Sequence, residues 1–281
     1  MIHPTAIVDS QARIGENVSI GPYSVIGPDA KIGANTVIHN FVTVMGNTTI
    51  GSNCEIFPGA VVGGPPQDLK FRGSKTTLEI GDHTVIREFC TLNPGTELGG
   101  GKTVVGHHNL IMAYAHIAHD CRLENYIIVA NCAQLAGHVH VQEGARISGM
   151  CAIHHFVRVG RGSMVAGMAR LSIDVPPYTM AEGHPAKIIG LNTEGLRRRS
   201  VPKDAALALR QAYRYLFKER ESHTKAYELI SSEGLDKFTL VSEFIEFVKQ
   251  TDQGRHGRAL EAQRAEVPPE ERDGGLTVRE G

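Results

Sequence analysis

Stepping through the chain six residues at a time from Ile2 gives Ile2, Val8, Ile14, Ile20, Ile26, Ile32, Ile38, Val44, Ile50, Ile56 and Val62, every one Ile or Val. The residue four places after each of the first ten is small or β-branched: Ala6, Ala12, Val18, Ser24, Ala30, Thr36, Val42, Thr48, Cys54 and Ala60. A second run starts at Ile80, Ile86 and Leu92. After a one-residue slip it continues from Val105 through Ile111, Ile117, Leu123, Val129, Leu135, Val141, Ile147, Ile153, Val159 and Val165 to Leu171. A period of six is neither the 3.6 of a helix nor the alternation of a half-buried strand. It fits a triangular coil of three short strands per eighteen-residue turn. The aliphatic residue points inward and the small one fills a slot near a corner.

Most parallel crossovers are right-handed, but this hexapeptide pattern resembles the known left-handed exception. The expected architecture is therefore mainly β, a left-handed parallel β-helix over residues 1–190. Two segments break the period. The Gly/Pro-rich stretch 63–79, GGPPQDLKFRGSKTTLE, leaves the coil and re-enters in frame; ELGGGKT at 97–103 carries the slip. Loops on a rigid scaffold are common carriers of function. The prolines of Asp174-Val-Pro-Pro-Tyr178 are expected to end the ladder. From Thr193 the pattern turns helical, giving a small α domain over 191–252. Ser200 caps its main helix in this reading, and two amphipathic stretches follow around Lys225–Ser232 and Phe238–Lys249. The charged tail 253–281 is expected to be disordered.

Composition narrows the function classes. Lys and Arg total 29 against 30 Asp and Glu, which gives no case for nucleic acid or membrane binding. The opening MIHPTAIVDS lacks a basic, then apolar, leader, and no apolar run approaches the roughly 18 residues of a membrane span, so a cytoplasmic protein is expected. Five cysteines without CxxC spacing argue against disulfides or a zinc knuckle. Cys54, Cys90, Cys121 and Cys151 sit at the small slot, as buried thiols do. Neither a metal nor a bound cofactor is expected.

Coil arithmetic then gathers histidines. His119 lies two places after an inward aliphatic; eighteen residues on is Gly137 and eighteen more is His155, with His138 and His154 flanking that column. With strands about 4.8 Å apart, the column spans roughly 10 Å of one edge. Asp120 follows His119 and can fix its tautomer. Gly137 presents a backbone N–H that no side chain shields. A base, an orienting carboxylate and a bare donor are the minimum for acyl transfer to a hydroxyl.

The segments NLIMAYAHIAHDC, LAGHVHV, SGMCAIHHF and NTEGLRRR, with the QDLK loop, resemble the UDP-N-acetylglucosamine acyltransferases that begin lipid A (lipopolysaccharide) synthesis. The resemblance runs from Ile2 to about Tyr215. It implies transfer of a 3-hydroxyacyl group from the phosphopantetheine arm of acyl carrier protein to the 3-position of UDP-N-acetylglucosamine, in a homotrimer with sites between subunits. By the same resemblance His119 is the general base, Asp120 its support and Gly137 the oxyanion donor. Gln67, Asp68 and Lys70 of the loop, with His116, His138, His154 and His155, contact substrate. Asn192, Glu194 and Arg199 serve the nucleotide and Arg198 the carrier arm, while Gly167 and its neighbour Met168 set acyl length. His155 stands where that family frequently has glutamine.

Three rival readings remain at this level. A carbonic anhydrase on the same fold needs three histidines on zinc, two of them five residues apart, but five after His155 is Gly160. A purely structural solenoid leaves the histidine edge unexplained. A sibling sugar acyltransferase making an N-acyl bond usually carries a domain before its repeats, whereas here they begin at Ile2.

Overall fold

The computed structural model describes residues 1–219 and 222–264. The chain winds as a left-handed parallel β-helix with three flat faces. Among the described residues, face 1 holds nine strands, from Ile7–Val8 to Arg170–Leu171. Face 2 holds eight, from Arg13–Ile14 to Arg158–Val159. Face 3 holds ten, from Ser19–Ile20 to the hairpin Thr179–Gly183 and Ala186–Leu191. The register is the predicted one: Ile7 lies opposite Val25, Arg13 opposite Lys31 and Ser19 opposite Val37, one eighteen-residue rung on. The second residue of each short strand points inward, so Ile26, Ile56, Ile86, Leu92, Ile117 and Leu135 are sealed in one continuous column. Each such side chain contributes about 1.5–3 kcal/mol by leaving water. The slot residues line the same core. Cys54, Cys90, Cys121 and Cys151 are buried there, and burial pushes the Cys90 thiol up to about 11 and that of Cys121 up to about 12.

Most corners take four residues. The departures lie on the edge between faces 1 and 2. The long excursion follows Val61–Val62 of face 1 and rejoins face 2 at Thr77–Ile80; the glycine-rich one follows Thr91–Leu92 and rejoins at Lys102–Val105.

The prolines near 176 do not end the ladder. Val175 bridges to Val159 on a shortened turn, and Thr179–Gly183 adds one more parallel strand beside Met164–Val165 before the chain reverses into an antiparallel hairpin. The prolines occupy the corner, where no ladder N–H is required.

Helix α1 (Thr193–Arg198) opens the helical region, capped by Asn192, whose side chain accepts from the Gly195 N–H. Helices α2 (Lys203–Phe217), α3 (His223–Ser232) and α4 (Thr239–Gln253) pack around Leu209, Ala212, Ile230, Val241 and Phe244. Ser200 is not the cap of α2: Pro202 holds that position and no side chain bonds there. The bundle is tied to the coil by Arg158, itself buried. It donates from Nε to Asp174 at 2.8 Å and from Nη2 to the Phe247 carbonyl at 3.0 Å, and its guanidinium lies 3.9 Å from the Phe247 ring centre.

The expectation of a disordered tail from 253 fails as far as Arg264. Arg258 and Glu261 are buried, and Leu260–Gln263 forms a 3-10 turn against the coil. Composition concealed this because the segment is held by ion pairs rather than apolar side chains. Residues 265–281 of the expected tail lie outside the described residues.

Candidate active site

The edge between faces 1 and 2 repeats one turn conformation. Its third corner residue adopts left-handed backbone angles, with φ of 58° at Asp120, 63° at His138 and 63° at Phe156, so these side chains project one above another. The rings of His138 and Phe156 stack 4.3 Å apart, and His119 meets His138 edge-on at 5.2 Å.

His119 is buried, only 7% exposed. Its Nδ1 lies 2.8 Å from Asp120 Oδ2. Asp120 in turn accepts from the Thr96 N–H at 2.9 Å and the Thr96 hydroxyl at 2.7 Å, while its own N–H donates to Thr103 Oγ1. Burial alone would raise this carboxyl, but the bonds from His119 and Thr96 outweigh it and hold the group below its ordinary range. The glycine-rich slip now has a physical reason. A Cβ on Gly99 would overlap the Asp120 carboxylate, so the turn Glu97–Gly99 can close over it only with glycine there. Thr96 and Thr103 were missed in the sequence; the signal was a glycine cluster one rung before a histidine–aspartate pair.

Gly137 sits as expected. A Cβ there would overlap the His119 ring, and its N–H donates to no acceptor among the described residues. The QDLK loop arrives over the same edge: Asp68 Oδ2 is 3.9 Å from His119 Nε2, and Lys70 Nζ is 3.7 Å from Asp68. Gln67 is exposed on that loop.

The remaining histidines line two cavities, one on each side of this edge. On face 1 a cavity of about 460 Å³ is bounded by His116, Gln134, Ala152, His154, His155 and Arg170. His116 Nδ1 is 2.7 Å from Thr91 Oγ1. On face 2 a cavity of about 300 Å³ is bounded by Lys70, Asp120, Arg122, His138, Leu260 and Gln263. Burial lowers His116 and His155, with neighbouring histidines adding to the effect. Burial also takes His138 down to about 4, although Asp120 opposes it.

Six expected site residues are not brought to His119 within one chain. Arg199 lies over Gly144 and Gly162 on the edge between faces 2 and 3, with Nη2 3.5 Å from the Glu143 carbonyl. Asn192 is buried beside it, and its Nδ2 donates to the Gly162 carbonyl at 3.0 Å. Glu194 is engaged by Arg197 at 2.8 Å and Arg198 at 2.7 Å. Gly167 and Met168 lie elsewhere too. Forty-eight residues is two turns and two thirds, so Gly167 and Met168 stand on the edge between faces 3 and 1 rather than on that of His119. A Cβ at Gly167 would meet only the Gly149 carbonyl oxygen, at 3.6 Å.

His119, Asp120 and His138 are the one cluster of metal-binding side chains among the described residues, with ligand atoms within 4.8 Å of one another. His155, which a three-histidine zinc site would use, is not in it, and the Asp120 oxygens are already occupied by Thr96 and His119.

Comparison with known proteins bears on the fold and the family. A family model described as UDP-N-acetylglucosamine O-acyltransferase, domain 2, matches residues 174–256, and a bacterial transferase hexapeptide model of six repeats matches 29–64. The acyl-[acyl-carrier-protein]–UDP-N-acetylglucosamine O-acyltransferase of Thiobacillus denitrificans is 46% identical over 253 residues, 90% of this chain and 98% of the relative. That of Synechocystis is 44% identical over 91% of this chain and 92% of the relative. The crystal structure of the UDP-N-acetylglucosamine acyltransferase from Bacteroides fragilis superposes with a TM-score of 0.86 at 37% identity, covering 89% of this chain and 97% of that one. For the Arabidopsis enzyme the values are 0.81, 34%, 92% and 98%. With relatives this similar over nearly their whole length, the chain belongs to the acyl-[acyl-carrier-protein]–UDP-N-acetylglucosamine O-acyltransferase family.

Proposed function

We propose that this acyltransferase moves a 3-hydroxyacyl group from the phosphopantetheine thiol of acyl carrier protein to the 3-hydroxyl of UDP-N-acetylglucosamine, the opening step of lipid A synthesis, with His119 as the base. The observation that carries this reading is the short contact of His119 Nδ1 with the buried Asp120, beside an unbonded Gly137 N–H. With Nδ1–H donated to the carboxylate, the lone pair lies on Nε2, which faces Asp68 and the cleft. Nε2 takes the sugar hydroxyl proton as the oxygen attacks the thioester carbonyl. The oxyanion accepts from Gly137 N–H. Collapse expels the carrier thiolate, which recovers the proton from Nε2. Lys70 suits the diphosphate, and Asp68 suits sugar hydroxyls. No helix among the described residues is long and apolar enough to cross a membrane, which fits a cytoplasmic enzyme using a soluble carrier.

The face 1 cavity suits the acyl chain. Outward side chains along that face run His116, Gln134, Ala152 and Arg170, and the rung of Arg170 lies three steps, about 14 Å, beyond that of His116. The nucleotide residues on the other edge reach such a site only if a second copy supplies them. The edge between faces 3 and 1 offers the means, because it exposes Tyr23, Phe41, Phe89, Tyr114, Met150 and Met168 in one column. A threefold assembly with the cleft between neighbours satisfies both features.

His119→Ala tests the base. Turnover should fall roughly 100-fold or more with the fold intact, as loss of a general base costs. Near-normal turnover in a folded variant would remove His119 from the mechanism.

A further inference from the structure

The segment beyond Gln253 is fastened at several points. Arg258 Nη1 donates to the Ser172 carbonyl at 2.7 Å, and its Nη2 reaches Glu261 Oε2 at 3.0 Å, with both side chains buried. The Ala259 N–H donates to Asp174 Oδ2 at 3.0 Å, and the Asp174 N–H returns a bond to the Gly257 carbonyl. Asp174 is the same carboxylate that holds Arg158 and, through it, α4. So anchored, the segment lays Leu260 and Gln263 against the face 2 cavity beside Lys70 and His138. Glu261 also orients Arg264, 2.8 Å from Nε to Oε1, so that its guanidinium lies 4.8 Å from the Phe156 ring centre. The 4.3 Å separation of Phe156 and His138 leaves no room between them, so Arg264 covers the other side of the phenyl ring. Arg264, Phe156, His138 and His119 thus form one series of contacting planar groups ending at the proposed base. The family model's match stops at residue 256, short of this segment.

We propose that Leu260–Arg264 is a clamp belonging to the active site: it closes the face 2 side of the cleft, and Arg264 is a positioning residue that holds the Phe156–His138 stack against His119. This rests on the reading of His119 as base. A guanidinium over a ring attracts it through the ring's quadrupole. Held from the outer side, Phe156 keeps His138 upright, and His138 limits the tilt of the His119 ring. A clamp of this kind acts on the placement of the base rather than on the affinity for either substrate.

The test uses the full chain with Arg264→Ala, Arg264→Lys and the reference variant His119→Ala. Arg264→Ala should lower kcat about five-fold, the scale of one cation–ring contact, with both KM values within two-fold and the melting temperature unchanged. Arg264→Lys should recover part of the loss. Millimolar guanidinium, added to fill the vacated place, should also raise the kcat of Arg264→Ala and leave wild type unaffected. Wild-type kcat in Arg264→Ala, or a loss accompanied by a lowered melting temperature and insensitive to guanidinium, overturns the clamp. The underlying reading fails separately, by turnover in His119→Ala.

Discussion

At the scale of single residues the site is defined by which groups burial keeps uncharged. His138 stays neutral in the folded protein down to about pH 4, whereas an unfolded histidine titrates near 6.5. Between those values the unfolded chain binds more protons than the folded one, so stability is full above about pH 6.5 and falls as pH drops towards 4. His116 and His155, also lowered by burial, act in the same direction. The melting temperature should therefore decline on acidification through this window, and His138→Phe, which preserves a ring on Phe156, should flatten the decline. Parallel melting curves for the two proteins from pH 7 to 4.5 would show that His138 carries none of it. Much of this level was legible beforehand, since Asp120 adjoins His119 in the sequence and the bare Gly137 followed from counting by eighteen. What counting could not reach was Thr96 and Thr103, because they enter through an irregular loop whose path no period describes, and Phe156, whose value lies in the ring beneath it.

Secondary elements supply what single residues lack, namely surfaces. Helix α2 exposes Lys203, Leu207, Arg210 and Arg214 on one side, and Arg214 is partly occupied by Glu219 at 3.1 Å. Arg220, part of the same basic run, lies outside the described residues. An acidic carrier protein docking here would meet complementary charge. Reversing Arg210 and Arg214 to Glu should raise the apparent KM for the carrier in a salt-dependent way while leaving that for the nucleotide sugar in place; an unchanged carrier KM at low salt would put docking elsewhere. The face 1 strands form the second surface. About 14 Å of rung height accommodates the extended part of a long acyl chain of about fourteen carbons, and Gly167 leaves the adjoining edge open. Gly167→Met should move preference to shorter donors without slowing the step at His119, as read by competition between donors of different length; an unmoved preference would exclude this edge as the stop. The resemblance marks this residue as setting chain length; that it stands a third of a turn away from the edge of His119 is invisible when only inward positions are counted. The ordered strap through Arg264 was hidden for a related reason: its anchors, Asp174 and Arg258, are charged, and charge in a sequence reads as surface.

At the scale of the whole molecule, the proposed site is incomplete in one chain. His119, the proposed base, stands on one edge of the prism while Arg199 stands on another, with face 2 between them. Scattering measurements in solution should give a mass of three chains, and Tyr114→Glu combined with Met150→Glu should yield monomers that keep their β signature and lose activity. A wild-type monomer with full turnover would refute the shared site. The exposed column carrying Tyr114 and Met150 repeats at each rung, so its contact with a neighbour would be long and narrow. The edge between faces 1 and 2 differs in kind, for both excursions of the chain leave the coil there and return without altering a single inward position. The prism therefore has one permissive margin and a core that does not register what happens on it. Length can be added or lost at that margin at little thermodynamic cost, and the margin is also where substrate would be chosen. Selectivity in this architecture can drift through its loops while the winding beneath keeps count.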